Sequence, residues 1–433
     1  MSRSSLYPPS VDPGFPSLAA RPEGWQRTTF GNIVEVVERP VKLDPDRIYK
    51  LVTAKRSRGG IVLRSEMQGI DVLTKTQFET KAGDFLISRR QIIHGACGIV
   101  PKDLDGAVVS NEYSTLRTRP SLCMEYLRHY SHTPYFQRTC FHSSHGVDVE
   151  KMIFKIEEWL ARSVDLPPLP EQKKISDILS AVDDAIEGTQ AVIDQLQVVK
   201  KAMMAELLTR GLPGRHTRFK HTEIGQIPEA WEIRPCGDLF DVQLGKMLNA
   251  QARSGANQFP YLRNENVRWL HFDLSDVAAM HFDERERVKY RLKTGDLLAC
   301  EGRHIGRGAV WRGDIDECYF QKALHRLRAK SSELTTDYMQ FFMMLRFQHM
   351  TDLVAEANAT STIPHLPRER LIALPVWYPP RGEQDEIVDV ISSLVANEQT
   401  EEDGLAALEC VKAALMSVLL TGEVRVPPDE AIP

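Results

Sequence analysis

Catalytic signatures are what this sequence of 433 residues most clearly lacks. It has no Gly-x-x-x-x-Gly-Lys-Ser/Thr loop, with which ATP-driven enzymes hold phosphates. None of its Pro-Pro pairs follows an Asn or Asp, so the Asn/Asp-Pro-Pro-Tyr/Phe motif that holds a flipped adenine in methyltransferases is missing too. We therefore predict that the chain itself is not an enzyme.

Cysteine is sparse and long apolar runs are missing. The seven cysteines include no Cys-x-x-Cys pair, which fits a reducing compartment better than a disulfide framework. No stretch approaches the ~18 uninterrupted apolar residues of a membrane span. Residues 1–20 are rich in Pro and Ser and lack the apolar run of a secretory signal, so we expect a disordered leader there. These features predict a cytoplasmic protein with no membrane partner.

The most informative feature that is present is an internal repeat at an offset of 212 residues. Pro167-Pro168 followed by Glu171-Gln172 recurs as Pro379-Pro380 followed by Glu383-Gln384. A period of this length is about the size of one domain and too long for a solenoid unit. The sequence therefore predicts a duplicated globular domain, with a helix after each copy.

Each repeat motif opens a long amphipathic segment. Without a gap, residues 171–209 match residues 383–421 at thirteen positions. Apolar residues recur at spacings of three and four, which places them on one helical stripe. The first stripe comprises Ile175, Ile178, Leu179, Val182, Ile186, Ile193, Leu196, Val199, Met203 and Leu207, and the second comprises Ile387, Ile391, Leu394, Leu405, Leu408, Val411, Leu415 and Leu419.

A helix of this length is about 58 Å long and cannot bury its stripe alone. We expect the two stripes to bury each other in an antiparallel two-helix coiled coil, with a globule at each end and a pseudo-twofold axis across the middle. The predicted boundaries are 1–165 for the first globule, 166–212 for the central helix, 213–375 for the second globule, 376–425 for the distal helix and 426–433 for a tail.

The globules are predicted to be mixed α/β (α+β) domains. The offset of 212 residues also aligns Gly83-Asp84 with Gly295-Asp296, each before a short apolar run typical of a strand. Further strands and helices are predicted at Ile33–Val37, Ser121–Tyr130 and Tyr338–Phe347. The two globules differ much more than the two helices. This divergence is expected if each globule recognises something different while both helices meet the same kind of partner.

Charge is distributed in the same modular way. The chain carries a net charge of −5, but its globular segments are mildly basic and its helical segments are acidic. This division is compatible with globules that contact phosphate and helices that contact protein. Scatter between two ordinary surfaces explains the charges equally well.

The duplication, the two Pro-Pro-x-x-Glu-Gln helix starts and the two Gly-Asp motifs together resemble the specificity subunit of a type I restriction-modification system. The resemblance covers the chain from about Pro22 to Glu423. It implies two target recognition domains, each reading one half of a bipartite, asymmetric DNA site. It also implies partners: double-stranded DNA, two methyltransferase subunits and, in a complete assembly, two restriction (translocase) subunits.

The resemblance places all catalysis in those partners. Adenine methylation with S-adenosylmethionine, and restriction with ATP and Mg²⁺, would occur there, so no cofactor is expected in this chain. The helices would dock the methyltransferase subunits. The positions assigned to the coiled coil and partner binding are Glu171, Gln172, Ile175, Leu179, Val182, Leu196, Val199, Glu383, Gln384, Ile387, Ile391, Leu408 and Leu415.

Candidate DNA-contacting residues follow from side-chain chemistry. Phosphates are bound by Lys, Arg and hydroxyl groups, whereas base edges favour Arg on guanine and Asn or Gln on adenine. In the first globule the candidates are Lys55, Arg56, Arg58, Arg64, Arg89, Arg90, Gln91, His94 and Ser144. In the second they are Lys246, Arg263, Asn264, Arg303, His304, Arg307, Lys322, Thr360 and Ser361.

Three other chemistries are signalled only weakly. Asp165, Glu171 and Lys173 mimic a metal-dependent nuclease motif, but an acid also suits a helix start and the second copy lacks the motif. The group of Cys140 with His129, His132, His142 and His145 has no zinc-module spacing. The glycines at 302, 306 and 308 lack dinucleotide-binding spacing and predict a turn between strands.

One alternative from another functional class stays open at this stage. A duplicated coiled-coil scaffold that holds two proteins or non-DNA ligands apart would show the same repeat and the same helices. Basic loops in divergent globules favour DNA, whereas failure of the chain and its partners to bind any duplex would favour the scaffold.

Overall fold

The computed structural model describes residues 7–222, 225–350 and 365–426. The chain divides into two compact units: unit 1 contains Met1–Thr189 and Gly404–Pro433, and unit 2 contains Gln190–Asp403. Each unit therefore contains one globule and one part of each long helix. Within the described ranges, no helix is both long and apolar enough to cross a membrane.

The globule of unit 1 is built mainly from short strands. They are β1 Gln26–Thr29, β2 Val34–Val36, β3 Pro40–Val41, β4 Ile48–Ala54, β5 Ile61–Gln68, β6 Gln77–Glu79, β7 Phe85–Ser88, β8 Cys97–Ile99, β9 Val108–Ser110, β10 Tyr113–Thr118, β11 Ser144–His145, β12 Ile153–Phe154 and β13 Ser163–Leu166. The helices are α1 Phe30–Ile33, α2 Met124–Tyr130, α3 Pro134–His142, α4 Ile156–Leu160 and the long α5 Leu169–Arg210.

The globule of unit 2 follows the same plan. Its strands are β14 Phe219–Thr222, β15 Gly225–Pro228, β16 Glu232–Pro235, β17 Phe240–Leu244, β18 Gln258–Leu262, β19 Ala278–His281, β20 Leu297–Cys300, β21 Gly308–Val310, β22 Tyr319–Phe320, β23 Leu324–Ala329 and β24 Pro375–Tyr378. Its helices are α6 Cys236–Leu239, α7 Ala250–Ser254, α8 Glu284–Tyr290, α9 Thr336–Met344, α10 Arg368–Ala373 and the long α11 Arg381–Leu419, with a π-helical turn at Leu345–His349.

Sheet topology confirms the duplication and the mixed fold class. Four strands in the order β2-β10-β7-β8 correspond to four in the order β17-β23-β20-β21, and the pair β1-β13 corresponds to β16-β24. The globules diverge in their second large sheet, which is five-stranded in unit 1 (β3-β6-β9-β4-β5) and three-stranded in unit 2 (β19-β18-β22). A common frame therefore carries two different outer sheets.

The Gly-Asp motif performs the same task in both frames. Gly83 and Gly295 adopt φ values of 84° and 91°, which favour glycine, just before β7 and β20. The buried Asp84 carboxylate accepts hydrogen bonds from the Lys81 amide at 2.8 Å and from the Arg39 guanidinium at 2.7 Å.

In unit 2 the Asp296 carboxylate accepts from the Lys293 amide at 2.8 Å and from the Arg328 guanidinium at 2.6 Å. The matching arginine of unit 1, Arg117, lies 3.3 Å from Asp84. Because both carboxylates are buried, a paired guanidinium offsets the cost of removing their charge from water.

A buried glutamine ties each long helix to its globule. In unit 1, Gln172 in the first turn of α5 accepts a hydrogen bond from the Cys123 amide at 2.8 Å. Its side-chain amide donates to the carbonyls of Ser121 and Pro167, both at 2.9 Å. The Gln172 side chain itself is buried, and these contacts connect α5 to the segment that leads into α2.

Unit 2 repeats this arrangement at the start of α11. Gln384 accepts from the Thr335 amide at 3.1 Å and donates to the carbonyls of Glu333 at 2.7 Å and Pro379 at 2.9 Å. The exposed fraction of both glutamines is 0%. Removing either side-chain amide would leave buried backbone groups without partners, which is costly.

The neighbouring glutamates hold the segments that follow the long helices. Glu171 forms a two-pronged ion pair with Arg425 at 2.7 and 2.8 Å, beyond the end of α11. Glu383 contacts the His216 ring at 2.8 Å, beyond the end of α5. The motif of Glu and Gln is therefore an internal anchor, and its buried side chains do not offer the partner contacts assigned to them from sequence.

The two long helices pair inside each unit. In unit 1, Ile175 and Leu179 of α5 share a hydrophobic cluster with Leu419 and Leu420, and Lys412 pairs with Asp183. Although burial would raise it, hydrogen bonds from Lys412 and then Arg128 lower the pKa of Asp183 below its ordinary value.

In unit 2, Leu207 and Leu208 of α5 share a cluster with Ile387 and Ile391 of α11, and Lys200 pairs with Glu398. Each unit thus contains the first part of one long helix and the last part of the other, which confirms antiparallel pairing. The predicted stripes are buried or half-buried, including Val182, Leu196, Val199, Leu408 and Leu415, except that Val411 is exposed.

The predicted bounds of both long helices and of the leader are wrong. The central helix spans Leu169–Arg210, and the distal helix ends at Leu419. Residues 376–378 belong to strand β24, which pairs with β16, so the distal helix begins at Arg381. Residues 7–20 do not form a separate leader, because Val11 is buried and Asp12 lies 2.9 Å from the Arg138 guanidinium. These contacts attach the segment to the first globule. Residues 1–6 and 427–433 lie outside the described ranges.

Replacing Gln384 by Met should test the anchor in unit 2. Met keeps the side-chain volume but leaves the Thr335 amide and two carbonyls without partners, so we expect unit 2 to lose on the order of 3 kcal/mol of stability. Hydrogen exchange at the Thr335 amide should accelerate. Gln251→Met, on the exposed surface of α7, is the matched control and should change neither quantity. Unchanged exchange at Thr335 in the Gln384 variant would contradict the anchor.

Candidate nucleic-acid interface

The basic candidates of the first globule lie on two loops that contact each other. One loop, residues 55–60, follows β4, and the other, residues 89–96, connects β7 to β8. The Ser57 amide donates to the His94 carbonyl at 2.7 Å, and the Arg56 guanidinium contacts the Gln91 side chain at 2.7 Å. The structure therefore brings together residues that are about 35 positions apart.

The candidates of the second globule occupy the equivalent places. Arg263 and Asn264 follow β18, and residues 301–307 connect β20 to β21. The side-chain amide of Asn264 donates to the Gly302 carbonyl at 3.0 Å, and the Arg307 guanidinium donates to the backbone carbonyl of Asn264 at 2.9 Å. The predicted turn between strands at the glycine-rich stretch is confirmed.

Strand pairing establishes that the loops are equivalent. β4 pairs parallel with β9 at Leu51 and Val108, and β18 pairs parallel with β22 at Leu262 and Phe320. β7–β8 and β20–β21 are the corresponding antiparallel pairs of the four-stranded sheets. Each globule therefore presents one loop from each of its two larger sheets, and these two loops meet.

A polar depression of about 410 Å³ lies over the loops of unit 2. It is lined by Asn264, Glu265, Arg268, Arg303, His304, Arg307, Gln321 and Ala323. Sequence reasoning missed Arg268 and Gln321, although Gln321 is next to the exposed candidate Lys322. Burial, and then the neighbouring guanidinium groups of Arg307, Arg303 and Arg268, lower the pKa of His304. The depression is therefore electropositive.

Several candidates are paired with acids in their own globule. Arg56 lies 2.7 Å from Glu150, and Arg263 lies 2.8 Å from Asp276. Arg90 pairs with Glu112. The half-buried Arg89 contacts the Asn111 carbonyl at 3.5 Å. An exposed pair of this kind contributes little stability, so a phosphate could replace the acid.

Three candidates are buried and do not offer free groups to a ligand. Lys246 pairs with Glu286 and contacts the Phe282 ring, and Ser144 donates to the Cys140 carbonyl at 2.8 Å. His94 is 1% exposed and lies 2.8 Å from the Ser10 hydroxyl. Their assignment as exposed DNA contacts is wrong. Thr360 and Ser361 lie outside the described residues.

The remaining candidates are exposed, and their side chains form no hydrogen bond or ion pair within the described ranges. They are Lys55, Arg58, Arg64, Arg303, His304 and Lys322. Arg58 differs from the others because it also lines a cavity of about 690 Å³ next to Lys412 of α11 and Leu18. Its guanidinium thus faces the long helices of unit 1.

The nuclease-like and zinc-like groups are used for packing. Asp165 lies 2.7 Å from Arg27 and Glu171 pairs with Arg425, so each carboxylate already has a cation. His142 contacts the carbonyls of Pro13 and Gly14, and His145 contacts Glu158. In the part of the chain that the structure describes, no group of three or more His, Cys, Asp or Glu side chains is placed to hold a metal ion.

Comparison with known proteins gives this arrangement a family. The family model described as "Type I restriction modification DNA specificity domain" matches residues 22–198 and again residues 228–409. The chain belongs to this family. The two matches contain the two sets of loops and most of both long helices, so the family covers the repeat found in the sequence.

Individual relatives are distant. The chain is 28% identical over 268 residues to the MjaVIII specificity subunit of Methanocaldococcus jannaschii, which covers 61% of this chain and 62% of that protein. It is 21% identical over 325 residues to the EcoKI specificity subunit of Escherichia coli K12, covering 71% and 67%. The chain thus spans about three fifths of the length of the M. jannaschii relative.

Solved structures share the fold. A chain from a structure of the type I R-M system matches with a TM-score of 0.59 at 16% identity, covering 94% of this chain and 100% of that chain. The S subunit from M. genitalium matches with a TM-score of 0.57 at 13% identity, covering 94% and 99%.

Gly306→Ala should test how firmly the loop between β20 and β21 is held. Gly306 adopts a φ of 76°, and an added Cβ would collide with the Phe347 ring. The left-handed backbone alone costs an L-residue about 1–2 kcal/mol, so unit 2 should lose at least that much stability in chemical denaturation. Gly404→Ala is the control, because an added Cβ at that helical position meets open space. The stability of this variant should equal or exceed that of the wild type. Equal stability of the Gly306 variant and the wild type would show that this loop is not rigid.

Proposed function

We propose that this protein is the DNA sequence-recognition subunit of a type I restriction-modification complex. It reads a bipartite, asymmetric site, with one half-site per globule, and it docks methyltransferase subunits on its long helices. The chain is non-catalytic in this proposal. Methylation with S-adenosylmethionine, and restriction with ATP and Mg²⁺, belong to the partner subunits.

The observation that carries the proposal is a strand frame that both globules share, with different side chains on its equivalent loops. Both globules place a loop after a parallel-paired strand against a hairpin that follows the Gly-Asp motif. The residues on these loops differ: Lys55, Arg56 and Arg58 in one globule correspond to Arg263 and Asn264 in the other. Equivalent loops with different side chains would read different bases from the same position on the duplex.

The helices support the docking part of the proposal. Their apolar stripes are buried by pairing within each unit, and α11 also carries exposed acids such as Glu402 and Asp403. Because Glu171, Gln172, Glu383 and Gln384 are buried, a methyltransferase subunit would bind the exposed helix surface and not these anchors.

If both globules contact the same side of a duplex, their half-sites would lie about one helical turn apart, ~34 Å or slightly more. The bases between the half-sites would be free to vary. Contacts from Lys and Arg to phosphates would make binding strongly dependent on salt concentration. The methyltransferase partners would complete the enclosure of the DNA and raise the affinity.

A domain exchange tests modular reading. Residues 1–165 are replaced by the same region of a relative, and the methylated motif is determined by methylome sequencing of cells that express the complex. We expect the half-site read by the first globule to change while the other stays the same. Cells without this gene are the control and should lack the split motif. A change in both half-sites would contradict modular reading, and the lack of any split motif in wild-type cells would contradict the proposed function.

A further inference from the structure

Among the arginines in and beside the depression of unit 2, Arg303 differs from its neighbours because its side chain has no partner among the described residues. Arg307 donates to the Asn264 carbonyl, Arg268 lies 3.3 Å from Asp273, and Arg263 lies 2.8 Å from Asp276. Arg303 lines the same depression and is exposed. Its side chain makes no hydrogen bond or ion pair with any described residue.

The backbone of Arg303 is held in an unfavourable conformation. Its φ is 61°, a left-handed value that it shares with only three other non-glycine residues in the described ranges: Ser57, Arg58 and Leu270. Such a conformation costs about 1–3 kcal/mol and persists only where the surroundings enforce it.

The surroundings that enforce it are visible. The preceding residue, Gly302, accepts a hydrogen bond from the Asn264 side chain at 3.0 Å and forms a β-bridge with His365. The His304 amide donates to the Gly302 carbonyl at 2.8 Å, and the Arg307 amide donates to the His304 carbonyl at 3.1 Å. Asn264 and Arg307 therefore act as positioning residues for the Arg303 loop.

An unpaired guanidinium on a constrained backbone suits one base in particular. Its planar fork donates two parallel hydrogen bonds, and guanine is the base that presents two acceptors, O6 and N7, on its major-groove edge. A phosphate contact needs only a nearby positive charge, which Arg268, Arg307 and the exposed Lys322 could all provide. The constraint on the backbone of Arg303 therefore favours a contact that depends on direction.

We propose that Arg303 is the specificity-determining residue of the second globule and reads a guanine in the second half-site through O6 and N7. This inference rests on the proposed function and adds to it a residue and a base. Because Asn264 and Arg307 hold the loop, their replacement would weaken reading of the same guanine indirectly.

The test uses the full complex of this chain with its methyltransferase subunits. First, the affinity of the wild-type complex is measured for a duplex that carries the motif found by methylome sequencing. The same measurement is made on duplexes with every single-base change in the second half-site. Arg303→Gln and Arg303→Lys are then compared with the wild type across the same duplexes. Arg312→Gln is the matched control, because Arg312 is an exposed arginine of the same globule that pairs with Asp337.

We expect the wild-type complex to prefer guanine at one position by about tenfold to a hundredfold. Arg303→Gln should lose that preference at that position and keep the others. Arg303→Lys keeps the positive charge but not the planar fork of the guanidinium, so this variant should also lose most of the preference for guanine. Arg312→Gln should leave the preference unchanged.

Other results would overturn the inference. If Arg303→Gln weakens binding equally on all sequences and reduces the salt dependence by about one phosphate contact, Arg303 binds the backbone. If the base preferences of the Arg303→Gln complex match those of the wild type, Arg303 does not contribute to base recognition. Both results leave the proposed function standing. If the wild-type complex has no sequence preference at all, the proposed function fails instead.

Discussion

The structure depends on one buried interaction that occurs twice: a glutamine in the first turn of each long helix, hydrogen-bonded to three backbone groups of the adjoining globule. Because Gln172 and Gln384 are fully buried and satisfied, neither helix can change its direction relative to its own globule without breaking several hydrogen bonds inside the protein. The glutamate beside each one fixes the segment that follows the opposite end of the helix pair. Orientation is thus determined at the point where reader and helix join.

The two anchors are equivalent but not identical. Glu171 is paired with an arginine, whereas Glu383 is paired with a histidine. The globules diverge in a similar way, since the four-stranded sheets have the same strand order while the outer sheets differ in strand number. The two copies therefore share the residues that join helix to globule and differ in the loops that carry the candidate contacts.

Most of the frame could be predicted from sequence because its signals are local or periodic. The helical stripes, the Gly-Asp strands and the offset between the copies needed no knowledge of distant contacts. The errors come from partners far apart in the chain. Lys246 looked like a surface charge because its acid, Glu286, lies 40 residues away. The Glu-Gln pair looked like a docking motif because the backbone groups that bind Gln172 lie about 50 residues earlier. Strand β24 was read as helix because its pairing partner, β16, lies more than 140 residues upstream.

The central proposal is that each globule recognises one half of a bipartite site, so that binding depends on the spacer between the half-sites. Its most direct test is the affinity of the assembled complex for a series of duplexes whose half-sites are unchanged and whose spacer differs by single base pairs. Adding one base pair shifts a half-site by about 3.4 Å and rotates it by about 36°. We predict a sharp optimum at one spacer length and a large loss of affinity one base pair to either side. Equal affinity across several spacer lengths would contradict the proposal.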